Sequence, residues 1–183
     1  MTKVFSSVSR FRLGYDQDEV DDFFDHAREV YEGAATDPLT STDIQTCTFE
    51  LTRGGYTTSE VDAALDRLES AFVARQRHEV ILARGQSVWM SDLADRARSL
   101  YGRLGRPDGE RFESAARGKP GYDKDDVDDL CERIVAYFDH TEALTAAEVR
   151  GAVFRGRKGR DGYAEAPVDA FLARVVEVLL GVE

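Results

Sequence analysis

The chain has little cysteine, no long apolar run and a deficit of positive charge. Its two cysteines, Cys47 and Cys131, fall on expected helical segments and read as buried thiols, not a disulfide. No apolar stretch approaches the length of a membrane span, and the N-terminus carries no signal-peptide hydrophobic segment, so a cytosolic protein is expected. Against 24 Lys and Arg stand 35 Asp and Glu, a formal charge of −11. That balance argues against nucleic acid, whose affinity rests on neutralising phosphates with cations. No segment alternates with a period of two over a useful length, so no sheet is expected. P-loop and dinucleotide glycine motifs are missing, and no Ser, Cys or Lys sits in a nucleophile context, so the chain reads as a non-enzyme. His26, His78 and His140 lie singly without a metal-spaced partner. The acid clusters DQDEVDD and DKDDVDD lack the central Gly and terminal Glu of a calcium loop. Neither metal nor cofactor is expected.

What the chain does have is a fourfold repeat. Gly-Tyr followed by Val-Asp occurs as Gly14-Tyr15 with Val20-Asp21, Gly55-Tyr56 with Val61-Asp62, Gly121-Tyr122 with Val127-Asp128, and Gly162-Tyr163 with Val168-Asp169. The first and second copies lie as far apart as the third and fourth. This is a duplicated pair, and a repeated unit points to binding more than to one catalytic centre.

Each copy reads as a helix start. In the first, Asp16 is the expected cap, Glu19 its reciprocal partner, and Tyr15 and Val20 close a hydrophobic staple. The Gly is expected to supply the free backbone angle of the turn. The second copy repeats this with Tyr56, Thr57, Glu60 and Val61, and the third with Tyr122, Asp123, Asp126 and Val127. The fourth departs, with Ala164 at the cap and Pro167 at the acid, although Pro is tolerated in a first turn. Behind each start the apolar residues fall at helical spacing: Val20, Phe23, Phe24, Ala27, Tyr31; Val61, Ala64, Leu65, Leu68, Phe72; Val127, Leu130, Cys131, Ile134, Phe138; and Val168, Phe171, Leu172, Val175, Leu179.

Two copies are preceded by a longer shared segment, LTSTDIQTCTF and LTAAEVRGAVF, in which Thr40 with Asp43 and Thr145 with Glu148 look like starts of short helices. The other two keep only Phe5 and Phe112. Between the pairs, Val88, Leu93, Ala97, Leu100, Tyr101 and Leu104 form a further amphipathic face, and Gly102, Gly105, Pro107 and Gly109 mark a linker. Trp89 is expected to pack between the halves. The expected fold is all-α: four helical repeats in two tandem pairs with an extra helix between them. Residues 1–86 form the first pair (1–38 and 39–86), residues 87–107 the inter-pair helix and linker, and residues 108–183 the second pair (108–143 and 144–183). The turns before the Gly-Tyr pairs are basic (Arg10, Arg12, Arg53, Arg117, Lys119, Arg155, Arg157, Lys158, Arg160) and the helix starts acidic. Part of this is dipole complementation, and the excess of acid suggests a surface for cationic partners.

The segment LTSTDIQTCTF, the basic turn and GYTTSEVDAALDRL together resemble the N-terminal domain of DivIVA and its relative GpsB, non-enzymatic scaffolds of bacterial division and polar growth. The resemblance covers most of the chain outside residues 75 to 110. It implies DivIVA-like repeats in which a Tyr and two acids one helical turn apart grip an Arg-containing segment of a partner. Carried over copy by copy, the implied partner-binding sets are Tyr15, Asp21, Asp25; Tyr56, Asp62, Asp66; and Tyr122, Asp128, Glu132. The fourth copy keeps Tyr163 and Asp169 but has Ala173 in place of the second acid. An Arg fork suits two carboxylates with its plane against a ring. The family's apolar membrane tip survives only as Arg10, Phe11, Arg12 and Leu13, and its long heptad tail is missing.

The expected function is therefore a cytoplasmic adaptor, peripheral to the inner face of the cell membrane at most, binding Arg-containing segments of division or envelope-growth proteins. Two alternatives stand beside it: a peripheral membrane tether through Arg10, Phe11, Arg12 and Leu13, and a modulator that pairs with a DivIVA scaffold.

Overall fold

A computed structural model describes residues 4–182. It is 61% helical, with seven helices. It is thus mainly α, but it also contains two small sheets, of two and three strands, which corrects the expectation of no sheet. The strands are two to four residues long, too short to display a period of two, and the Gly-Tyr pairs lie on or beside them.

The chain divides into two compact units after Gln76. In the first unit, β1 (Leu13–Tyr15) leads into α1 (Gln17–Glu32), then α2 (Ser41–Thr46), β2 (Leu51–Arg53) and the start of α3 (Thr58–Arg84). Strands β1 and β2 pair antiparallel, with Gly14 opposite Thr52. The core is Phe5, Val20, Tyr56 and Val61, with Tyr15, Phe24, Phe49, Ala64 and Leu65 packed around it.

The second unit holds α4 (Gln86–Leu104), β3 (Pro120–Asp123), α5 (Lys124–Phe138), α6 (Ala146–Arg150), β4 (Gly156–Lys158), β5 (Gly162–Tyr163) and α7 (Glu165–Val182). Strand β3 lies between β4 and β5, antiparallel to both. Helix α7 is the most buried, with Val168, Phe171, Val175, Val176, Val178 and Leu179 all inside. Trp89, expected between the halves, belongs to this unit: its indole Nε1 donates to the Gly181 carbonyl at the end of α7, 3.0 Å away. The inter-pair helix α4 is thus part of the second body.

Several helix starts follow the local signals. Asp16 accepts from the backbone N–H groups of Asp18 and Glu19, and Asp123 from those of Asp125 and Asp126. Thr40 with Asp43 and Thr145 with Glu148 form complete capping boxes. In the second copy the Thr57 hydroxyl donates instead to the Ser6 carbonyl, 3.0 Å away.

Candidate functional site

The two copies of each unit complete one another. Tyr56 stacks edge-on against Phe5, with ring centroids 5.4 Å apart, and its hydroxyl donates to both oxygens of Asp21 at 3.1 Å. Phe5 and Asp21 belong to the first copy and Tyr56 to the second. The reverse half is similar: Tyr15 stacks against Phe49 at 5.4 Å, with Asp62 beside its hydroxyl. The second unit repeats the exchange. Tyr163 sits on Phe112 at 5.3 Å and donates to Asp128 at 3.0 and 3.1 Å. Tyr122 sits on Phe154 at 5.1 Å, with Asp169 beside its hydroxyl.

The backbone is exchanged in the same way. The residue after each tyrosine donates its N–H to the residue after the other copy's phenylalanine: Asp16 to Glu50, Thr57 to Ser6, Asp123 to Arg155 and Ala164 to Glu113, each at 2.8 Å. In three copies that acceptor residue returns its own N–H to a helix-start carboxylate: Glu50 to Glu19, Ser6 to Glu60 and Arg155 to Asp126, again at 2.8 Å. These acids, expected as capping-box partners, instead bind the other copy. The fourth copy has Pro167 at the corresponding position. The glycines have a different role from the one expected. Gly14, Gly55, Gly121 and Gly162 are not among the residues with positive φ. A β-carbon on Gly14 would collide with the Tyr56 carbonyl, one on Gly55 with the Tyr15 carbonyl, and one on Gly121 with the Tyr163 carbonyl. They are glycines because two backbones meet there.

The implied binding sets are accordingly redrawn. Tyr15 does not meet Asp21 and Asp25, nor Tyr56 Asp62 and Asp66, nor Tyr122 Asp128 and Glu132; each tyrosine meets the first acid of the other copy. Asp25 is ion-paired with Arg28 on its own helix at 3.1 Å, and Asp66 and Glu132 are exposed on α3 and α5. The acidic start of α5 is partly neutralised by the basic turn of the fourth copy, with Arg157 on Asp123 and Arg155 on Asp126 and Asp123. Those contacts hold the Asp126 carboxyl down at about 2, chiefly through its hydrogen bonds from Arg155.

One of the four Tyr-Asp pairs has a third member. Arg111, 6% exposed, lies beside Asp128, 4% exposed. Its guanidinium is 3.1 Å from the Asp128 carboxylate and 2.8 Å from that of Asp108. The Gly109 N–H also donates to Asp128, at 2.6 Å, and the Arg111 N–H to the Tyr163 hydroxyl, at 3.1 Å. The same position, one residue before the exchanged phenylalanine, is Val4 in the first copy, Thr48 in the second and Val153 in the fourth. Asp21, Asp62 and Asp169 are exposed. The repeat pattern does not mark Arg111, which lies beside the linker. Aligning the four residues that precede Phe5, Phe49, Phe112 and Phe154 singles it out as the sole cation among them.

The basic-apolar turn of the first copy is open. Phe11 is 77% exposed and Leu13 58%, with the Arg10 guanidinium 4.9 Å over the Phe11 ring. Arg53 stands opposite Leu13 in the sheet register.

Burial, reinforced by Asp169, pushes the Tyr122 phenol up to about 12, and burial with Asp128 does the same for Tyr163. Tyr56 and Tyr15 are raised for the same reasons, beside Asp21 and Asp62. A phenol raised in the folded state contributes stability that is intact below its ordinary value near 10 and is lost as the pH rises through the folded value. An absorbance titration of tyrosinate is thus expected to show four of the seven tyrosines ionising late in the folded protein. After denaturation they should join the ordinary phenols, and alkaline unfolding should accompany their release.

Comparison with protein-family models, with curated proteins and with solved structures finds no match to this chain. Among the described residues, no helix is long and apolar enough to cross a membrane.

Proposed function

We propose that this chain is a non-enzymatic adaptor of the DivIVA class in bacterial cell division or polar growth, acting in the cytoplasm and binding arginine-bearing segments of its partners. The binding surface is formed by the exchanged sites whose aspartates are exposed: Tyr56 with Asp21, Tyr15 with Asp62 and Tyr122 with Asp169. The observation that carries this reading is Arg111: in the second unit the same Tyr-Asp arrangement holds a guanidinium supplied by the chain itself. A carboxylate already fixed by a phenol is preorganised for a cation, and arginine adds a planar fork that lysine lacks. The test is fluorescence anisotropy with a labelled peptide carrying one arginine, against its lysine counterpart. Asp21→Ala with Asp62→Ala and Asp169→Ala is expected to weaken binding by about tenfold or more, the loss of the charge-assisted contact at every open site. Equal affinity for the arginine and lysine peptides, or no change in the triple variant, would sink the reading.

The exposed Phe11 and Leu13 among Arg10, Arg12 and Arg53 favour a second reading, a peripheral tether to anionic lipid, in which rings enter the interface and arginines meet headgroups. Flotation with anionic vesicles decides it. Salt-sensitive binding lost in Phe11→Ser supports the tether, and its absence removes it.

A further inference from the structure

We infer that the residue immediately before the exchanged phenylalanine is the specificity-determining position of each Tyr-Asp site: an arginine there closes the site from within, and a short neutral residue leaves it open to an outside cation. The inference rests on the arginine-binding reading above. Its ground is a comparison of equivalent places within one chain. Phe5 and Phe112 stack on Tyr56 and Tyr163 with the same geometry, centroids 5.4 and 5.3 Å apart and planes 64° and 65° to one another. Both tyrosines donate to both oxygens of an aspartate. The two sites differ in what precedes the phenylalanine, and around Tyr163 also in the Gly109 N–H on Asp128 and in Lys124 over the ring, where the first copy has Gln17. Arg111 puts its guanidinium on Asp128, whereas Val4 is 73% exposed and carries no charge.

With Arg111 in place Asp128 is saturated. Its carboxylate takes the Tyr163 hydroxyl, the Gly109 N–H and the Arg111 guanidinium, so a further cation has neither a free lone pair nor a route inward. Asp21 receives the Tyr56 hydroxyl and faces solvent on its remaining side; among the described residues no cation pairs with it. Arg111 is also an imperfect occupant. Its Nε is buried with no hydrogen-bond partner, as expected of a side chain whose fork is spent on Asp128 and Asp108 through one terminal nitrogen.

The experiment transplants the arginine. Amide and tyrosine-ring NMR spectra of the full chain are followed while N-acetyl-arginine amide is added, for the wild type, Val4→Arg and Arg111→Val. In the wild type, shifts are expected around Tyr56 and Asp21 and not around Tyr163 and Asp128. Val4→Arg, at an exposed position that folding does not need, should weaken the Tyr56 response roughly tenfold while leaving that of Tyr15 and Asp62 unchanged. Arg111→Val, where it folds, should gain a response at Tyr163. A Tyr56 response undiminished in Val4→Arg overturns the inference. Should the wild type respond nowhere, the adaptor reading fails instead, and the positional inference is then decided without ligand. Val4→Arg should raise the melting temperature, and the gain should vanish in an Asp21→Ala background. An equal gain in both backgrounds refutes it.

Discussion

Asp128→Ala should destabilise the second unit by about 3–5 kcal/mol, the loss expected when one member of a buried ion pair is removed and the other stays behind. Arg111 would be left charged at a place where it is 6% exposed, with only the largely exposed Asp108 beside it. The Gly109 N–H and the Tyr163 hydroxyl would lose their acceptor in the same step. The size of the loss comes from stranding a charge and not from the pair's net worth, because burying two ions cancels most of their attraction. Replacing both partners, Arg111→Met with Asp128→Leu, should therefore recover most of the stability. Trp89 is the only tryptophan and lies in this unit, 4% exposed, so urea unfolding followed by its fluorescence reports the right body. A single-variant loss under about 1 kcal/mol, the range of an exposed pair, would show that Arg111 is not held as described.

The second large effect is expected at Gly55. An alanine β-carbon there meets backbone on the opposing copy, the Tyr15 carbonyl and the Gly14 carbonyl, and not the end of a side chain that can swing away. The two tyrosine backbones bond each other across this point, Tyr15 N–H to Tyr56 at 3.0 Å and Tyr56 N–H to Tyr15 at 2.8 Å. Forcing them apart breaks both bonds and draws each ring off the other copy's phenylalanine. Gly55→Ala is expected to cost about 3 kcal/mol or more, at the upper end for overpacking. The control is Gly102→Ala on α4, where a β-carbon meets nothing within 4 Å and the helix should gain about 1 kcal/mol. Urea unfolding followed by circular dichroism measures both. A Gly55→Ala variant as stable as the wild type would show that the two backbones do not meet there.

Local chemistry was legible in the sequence and long-range chemistry was not. The caps at Asp16, Thr40, Asp123 and Thr145 are settled by residues two or three positions away, so their letters suffice. The apolar stripes likewise place Val20, Val61, Val127 and Val168 in the core, where all four are fully buried. The exchange could not be read this way. Tyr15 finds the same residue type whether it turns to Asp21 or to Asp62, and a residue shared by both copies hides which copy supplies the partner. The role of Gly14 and Gly55 was hidden for a related reason: a glycine demanded by a neighbouring backbone looks in sequence like one demanded by a turn. The strands were invisible because a ladder of three residues has no periodicity. Arg111 stayed hidden because a repeat shows what the copies share, and this residue is where one copy differs.

The reciprocal exchange has a consequence for how such a chain can change in length. A lone copy carries a tyrosine whose ring and hydroxyl have nowhere to go and a phenylalanine whose face is bare, so half a pair lacks the interior that would fold it. Copies can be added or deleted only in twos, or by borrowing the missing half from another molecule. The chain's own arithmetic, two and then two again, is what that constraint permits.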